Sequence, residues 1–317
     1  MPDDPHIIAP DDKFRAGLNG HAKKSEFAYS HRRPATVQLQ SEAVERAIAT
    51  MQERLGEPLS LDTLAAAATL SRFHFSRVFH HVTGLAPVQF LGALRLAEAK
   101  RLLLTSSLNV ADVCFRVGYN SLGSFTVRFS RSVGVSPGRF RQLRDPSGPS
   151  YFDDDHDPGR QQHADPVFLA SQISGRVQAG SALPGPVFIG LFKTPVPEGE
   201  PICCAILPDP GTYLMLRVPE GTYYVLAASF PWPDKGPEPL LQDSESLQIG
   251  RYGPVRVTHD EVLRDVDLLL RPALSTDPPV LVALPALLAR LHTSNRAEAR
   301  LSQHLTEMPD DCSRLES

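Results

Sequence analysis

The chain has 317 residues, 42% of them hydrophobic, and a formal net charge of −4, enough material for two domains with cores of their own. No apolar run reaches the roughly 18 residues that suggest a membrane helix, and the polar start Met1-Pro2-Asp3-Asp4-Pro5 has no apolar signal core, so a cytoplasmic protein without a membrane partner is expected. Four cysteines, Cys114, Cys203, Cys204 and Cys312, fit neither a disulfide framework nor a zinc spacing.

The charge is unevenly spread. Residues 1–38 carry +1, residues 39–144 carry +6 and residues 145–317 carry −11, while the prolines number 4, 3 and 22 in the same three segments. A basic, proline-poor middle suits helices that meet a polyanion. The acidic, proline-rich remainder suits neither helices nor nucleic acid. Residues 1–38 lack sustained periodicity and read as a flexible arm, made locally basic by Lys23, Lys24, Arg32 and Arg33.

From residue 39 to 144 the pattern is helical. Val44, Ala47, Ile48, Met51 and Leu55 share one face of a helix over 40–55, which Gly56 and Pro58 end. Ser60 is placed to cap a helix over 61–68, and Ser71 to cap a second over 72–82. Gly84 stops that helix and Pro87 starts a long one reaching about Leu104. A helix from Val110 capped by Asn109, a turn at Gly118, a helix over 122–132 and a short helix from Pro137 through Phe140 complete the series. This series contains a repeat: Phe75, Phe79, Gly84 and Pro87 recur 50 residues later as Phe125, Phe129, Gly134 and Pro137. Upstream, Leu64-Ala65 and Leu70-Ser71 recur 49 residues later as Val113-Cys114 and Tyr119-Asn120, so one residue is inserted in the second copy. Each copy reads as helix, tight turn, helix, the arrangement that lays a helix in a DNA groove.

On the helix over 72–82, Phe75, Val78, Phe79 and Val82 take one side and Phe73, Ser76, Arg77 and His80 the other, with Arg72 at its start. Arg77 can donate to guanine or phosphate, Ser76 can bond a base edge and Phe73 can meet a thymine methyl. In the second copy Leu122, Gly123 and Ser124 lead the helix, and Thr126 and Val127 stand where Ser76 and Arg77 stood. Arg128, Arg131, Arg139 and Arg141 are candidate phosphate contacts, which position a protein without specifying sequence. The expected partner is double-stranded DNA, with the first copy discriminating bases more than the second.

Residues 40–144 resemble the paired helix-turn-helix domain of AraC/XylS-type transcriptional regulators. The matching stretches are Leu64-Ala65, Ser71 through Phe79, Thr83-Gly84 with Pro87, Arg95 with Ala99, Leu102-Leu103, Val113 through Ser121, Phe125, Arg128-Phe129, Gly134 through Pro137, and Phe140-Arg141. The resemblance implies two three-helix modules joined by the long helix, with recognition helices in successive major grooves. It also implies base contacts at Phe73, Ser76 and Arg77 and at Leu122, Gly123, Ser124 and Val127. Two departures stand out. Val127 occupies a place where the family commonly has arginine, and the domain comes first in the chain where the family usually places it last.

Residues 145–165 read as an acidic, proline-rich linker in which Asp153-Asp154-Asp155-His156-Asp157 is a solvated charge run and no metal site. From 166 the period changes to two. Strands are expected at 173–177, 187–193, 201–206, 213–218, 222–230, 253–257 and 264–270, then a closing helix over 280–291 and a polar tail over 293–317. Ile173 through Val177, Leu183-Pro184-Gly185 and the run from Gly211 to Tyr223 resemble the carboxypeptidase regulatory-like, or transthyretin-like, β-sandwich. The fold class expected is therefore two domains, all-α then all-β: a tandem helix-turn-helix bundle joined by a long helix, followed by a Greek-key-like β-sandwich over 166–292.

Tyr213, Tyr223 and Tyr224 are expected to serve that core. Cys203 and Cys204 alternate sides on a strand and read as small apolar groups. Trp232 is expected to seal the end of the sandwich, and His259-Asp260-Glu261 to form a polar turn. No triad, phosphate loop or metal spacing supports catalysis, so no enzyme activity, cofactor or metal is expected. The function expected is a sequence-specific transcriptional regulator whose β domain senses a small-molecule effector or meets a protein partner. Rival readings are a DNA-repair alkyl transferase acting through a cysteine, and a carbohydrate- or partner-binding module with secondary DNA binding.

Overall fold

The computed structural model describes residues 34–143, 171–231 and 246–283. The expectations for residues 1–33, for the linker through 165, for Trp232 and for the tail over 293–317 lie outside those residues.

Among the described residues seven helices come first: α1 Pro34–Glu53, α2 Leu61–Ala67, α3 Arg72–Thr83, α4 Pro87–Thr105, α5 Val110–Arg116, α6 Leu122–Val133 and α7 Pro137–Gln142. α1 begins six residues ahead of the expected Gln40, because its apolar face starts only at Ala43 and its first turns carry no periodic signal. Side-chain caps fix several other starts. The hydroxyl of Ser60 accepts from Thr63 N at 3.0 Å, and the side chain of Asn109 accepts from Asp112 N at 2.8 Å. Ser121 and Ser136 cap α6 and α7 more loosely, each at 3.4 Å. Ser71 departs from expectation. It occupies the N-cap position of α3 in extended backbone, but its side chain makes no capping bond. Gly84 and Gly134 close α3 and α6 in the left-handed conformation, at φ 79° and 91°.

Matching rings hold each copy together. Phe75, Phe79 and Phe90 pack edge-on with centroids 5.4 Å apart, and their counterparts 50 residues on, Phe125, Phe129 and Phe140, pack at 5.6 and 5.7 Å. All six are fully buried. α4 runs between the copies and is buried at Phe90, Ala93, Leu96, Ala99 and Leu103, so both copies share one continuous core.

Eight strands follow among the described residues: β1 Ser171–Ala179, β2 Val187–Phe192, β3 Cys204–Leu207, β4 Thr212–Val218, β5 Gly221–Ser229, β6 Gln248–Val257, β7 Val262–Leu263 and β8 Leu268–Pro272. They form one sheet in the order β3-β2-β5-β6-β8-β1-β4, with β7 beside β1. The expected Greek-key-like sandwich of two facing sheets is replaced by this single sheet. It curls until its edges approach, where Cys203 Sγ lies 3.7 Å from Leu216 O. The cause is β1. It pairs antiparallel with β4 along Ile173–Arg176 and then parallel with β8 along Val177–Ala179, which joins what would have been two layers.

Alternate residues of β1, β2, β4, β5 and β8 point into this nearly closed barrel, among them Ile173, Val177, Ile189, Leu191, Met215, Val225 and Leu268. Tyr213 is buried there and donates from its hydroxyl to Val266 O at 2.6 Å. Every residue of β2 is buried, because its outward side chains Phe188 and Phe192 join Leu226, Phe230, Leu247, Val280 and Val282 in a second cluster on the outer face. Val280 through Ala283, expected to begin a helix, instead runs as a non-helical strap across that face. Its amides are taken by other segments: Leu281 N and Val282 N donate to Pro197 O, and Ala283 N donates to Val133 O. Cys203 packs toward the barrel interior and Cys204 toward the outer cluster, the two opposite faces anticipated for neighbours on a strand.

Candidate nucleic-acid interface

Both recognition candidates expose the faces the sequence singled out. On α3, Phe75, Val78 and Phe79 are buried, while Phe73 is 85% exposed and Arg72, Arg77 and His80 are also exposed. Ser76 is half-buried between the two sides. On α6, Phe125, Phe129 and Val133 are buried, while Leu122, Gly123, Ser124 and Val127 are exposed, Val127 at 71%. Thr126 is half-buried, like Ser76 in the other copy. The large ring of Phe73 and the branched aliphatic Val127, both left in solvent, offer thymine methyl contacts, and Arg77, the counterpart of Val127, offers paired donors to guanine.

The charged candidates divide. Arg72 lies 3.8 Å from Asp62 with both groups largely in solvent, a contact that competes weakly with any phosphate. Arg131 is exposed on α6. Arg128 is drawn the other way, its Nη2 lying 3.6 Å from Glu198 Oε2 of the loop between β2 and β3. Arg141 is also engaged in the fold, donating to Leu108 O. Both side chains therefore help to hold the fold, a role that spacing alone did not reveal.

The turns orient these faces. Thr69 and Gly118 are equivalent turn residues with left-handed backbone, at φ 56° and 86°. The inserted residue of the second copy falls immediately after its turn, where Asn120 and Ser121 precede α6 and Ser71 alone precedes α3. Arg95 of α4 holds the segment between α1 and α2, its Nε donating to Leu55 O at 2.9 Å and its Nη2 to Glu57 O at 2.8 Å. Burial lowers the Arg95 pKa. Sequence reading gave Arg95 no such role, since its bonds are to distant carbonyls.

The thiols have the opposite character to a nucleophile. Burial raises the Cys114 and Cys203 pKa values, and burial together with Cys203 and Glu200 raises that of Cys204 to about 11. A thiol so shifted is protonated and inert at neutral pH. Cys312 lies outside the described residues. His259 lies 3.1 Å from Glu220 and 3.4 Å from Asp260, while Glu261 accepts from Thr258, an arrangement of surface turn contacts. No described helix is long and apolar enough to cross a membrane.

Residues 64–143 match the helix-turn-helix domain family. The helical half is an AraC-type helix-turn-helix domain. It is the DNA-binding part of a transcriptional regulator. The chain is 29% identical over 118 residues to the transcriptional activator AarP of Providencia stuartii, a stretch that is 37% of this chain and 85% of that protein. It is 39% identical over 94 residues to the MmsAB operon regulatory protein of Pseudomonas aeruginosa, covering 30% of this chain and 31% of that one. A crystal structure of the DNA-binding domain of the transcriptional factor AdpA, in complex with a target DNA, is 38% identical. That match covers 33% of this chain and 98% of the other, with a TM-score of 0.32. All three likenesses cover about a third of the chain.

Proposed function

We propose that the protein is a cytoplasmic, sequence-specific transcriptional regulator whose α3 and α6 enter successive major grooves of double-stranded DNA. The observation that carries this reading is the repeated division of the two helices: equivalent phenylalanines buried, and equivalent stations at 73, 76–77, 122–124 and 126–127 turned to solvent or half-buried. Arg77 reads guanine, Phe73 and Val127 read methyl groups, and Arg72, His80 and Arg131 approach the backbone. Arg128 adds a phosphate contact when it leaves Glu198. The first copy supplies most of the discrimination because it holds the bidentate donor.

The β domain, with its sequence likeness to carboxypeptidase regulatory-like modules, acts as the sensing or partner-binding part without catalysis. Its apolar cavity between Phe188, Leu226, Ile249 and the strap at Val280 has a volume of about 40 Å³, far below the roughly 300 Å³ of ordinary ligand pockets. An effector seated in this cavity must open it, and a protein contact is the other role proposed for the domain.

Selection of bound sequences from a random DNA library at fixed salt tests the reading. Two enriched blocks about one helical turn, roughly 34 Å, apart are expected. Arg77→Ala should relax one block at a cost of about 1–3 kcal/mol. Failure to enrich any sequence would reject the proposal.

A further inference from the structure

The β domain meets the two copies at matching points. Thr83 and Val133 are the last residues of α3 and α6 and stand 50 positions apart. Arg251 Nη1 of β6 donates to Thr83 O at 3.3 Å, and Ala283 N of the strap donates to Val133 O at 3.0 Å. One residue earlier, Ser132 O accepts from Gly199 N, and Ser132 Oγ donates to Glu198 Oε2 at 2.8 Å. The final carbonyls of a helix have no intrahelical partner; here a second domain supplies partners at the ends of both recognition helices. Between these ends, Lys100 Nζ of α4 donates to Val280 O at 3.1 Å. Val196, Leu281 and Ala283 complete the apolar core of the helical domain.

The fit at α6 is close. Gly199 has φ +72°, and a Cβ there would lie 2.9 Å from Arg131 O, so the loop approaches the helix end as only glycine allows. The grip leaves the outward stations free. Phe73, Arg77, Leu122 and Val127 remain in solvent while the carboxyl ends of the same helices are held. The docked β domain is thus compatible with DNA reading and restrains the two elements whose relative placement decides which spacing of blocks can be read.

We propose that the β domain is a positioning clamp for DNA recognition: through Gly199, Arg251 and the strap at 281–283 it fixes α3 and α6 relative to each other and so sets the permitted spacing between the two sequence blocks. The inference rests on the DNA-reading function proposed above. One base pair moves a block about 3.4 Å along the axis and also rotates it, more than a fixed pair of helices tolerates. Gly199, Glu198 and Arg251 are positioning residues, acting on DNA through the helices they hold.

The test uses the full chain and the selected sequence, with one or two base pairs inserted or removed between its blocks. Binding is measured for wild type, Gly199→Ala and Arg251→Ala, together with amide hydrogen exchange at Gly199, Leu281, Val282 and Ala283. Wild type should lose about tenfold or more in affinity per base pair of changed spacing. Gly199→Ala should lose less than about threefold and exchange those amides faster. Arg251→Ala removes an exposed side chain without disturbing the sheet, should fall between, and decides the matter alone if Gly199→Ala does not fold. An unchanged spacing penalty in a variant whose amides have become labile would overturn the clamp while leaving DNA reading intact. A wild type that enriches no sequence at all would overturn both.

Discussion

The two helix-turn-helix copies share an interior and differ on the outside. Phe75, Phe79 and Phe90 in the first have the same burial and nearly the same ring spacing as Phe125, Phe129 and Phe140 in the second. Arg77 faces Val127 across the repeat, Thr69 faces Gly118, and buried Val78 faces exposed Arg128. The last exchange is instructive. Where the first copy closes its flank with an apolar side chain, the second sends a cation to Glu198 of the β domain. Packing thus holds the copies to one frame, while each outer station answers to its own surroundings.

The largest expected effect tests the shared interior. Phe79→Ala and Phe129→Ala each remove a fully buried ring from an edge-on cluster and should each cost about 3–5 kcal/mol. Urea unfolding of the full chain measures both. Costs differing by more than about 2 kcal/mol would mean that the equivalent interiors are not energetically equivalent.

The second copy also shares its ring cluster with a charge. Lys100 is only 4% exposed and its Nζ lies 5.8 Å from the Phe140 ring centre. Burial lowers its pKa to about 7 from an ordinary 10.5. In the unfolded chain the amine keeps its proton up to the ordinary value, whereas in the folded chain it releases it near neutrality. The unfolded state therefore binds more protons between those limits, and stability rises with pH across that window and falls as pH drops toward 7. The swing should be on the order of a few kcal/mol. Lys100→Met should flatten that part of the stability profile in urea unfolding at a series of pH values, and a slope that persists in the variant would assign it to other groups.

The turns separate the copies by a smaller margin. A Cβ on Gly118, at φ +86°, would lie 2.8 Å from Leu55 O. Gly118→Thr should cost about 2–4 kcal/mol, combining left-handed strain with a backbone clash. The reverse exchange, Thr69→Gly, relieves left-handed strain but frees the unfolded chain and loses the bond from Arg46 Nη2 at 3.3 Å. It should change stability by less than about 1 kcal/mol. Equal costs for the two exchanges would show that the turns are under the same constraint.

What sequence made legible follows the same division. The repeat located α2 through α7, because buried phenylalanines, turns and closing glycines leave local marks at a fixed offset, and apolar periodicity located α1. The exposed faces of α3 and α6 followed from amphipathic spacing. The closure of the sheet did not, since parallel pairing of β1 with β8 brings Val177 against Leu268, far apart in the chain. The strap at 280–283 has a helical composition, and its bonds to the distant carbonyls of Pro197 and Val133 leave no local mark in the sequence. Arg128 and Arg141 read as phosphate contacts by their position beside a recognition helix, yet their nearest partners, Glu198 and Leu108 O, come from other elements.

The smallest effect distinguishes the starts of the two recognition helices. Ser71 and Ser121 hold the same place, and the sequence reading named a cap at Ser71 alone. Only Ser121 turns its hydroxyl to the helix, accepting from Ser124 N, and the 3.4 Å length makes that bond a weak one. An uncapped amide at a helix start that faces water is solvated, so the first copy loses little by its missing bond. Ser121→Ala should therefore cost about 0.5–1 kcal/mol, the low end for a cap, and Ser71→Ala less than about half of that. The inequality also bears on the interface, because an amide of α3 left without a side-chain partner is available to a phosphate oxygen, to which a helix N-terminus is already attractive. If Ser71→Ala proved the costlier change in free protein, α3 would have to recruit its cap in solution, and the two helix starts would be equivalent.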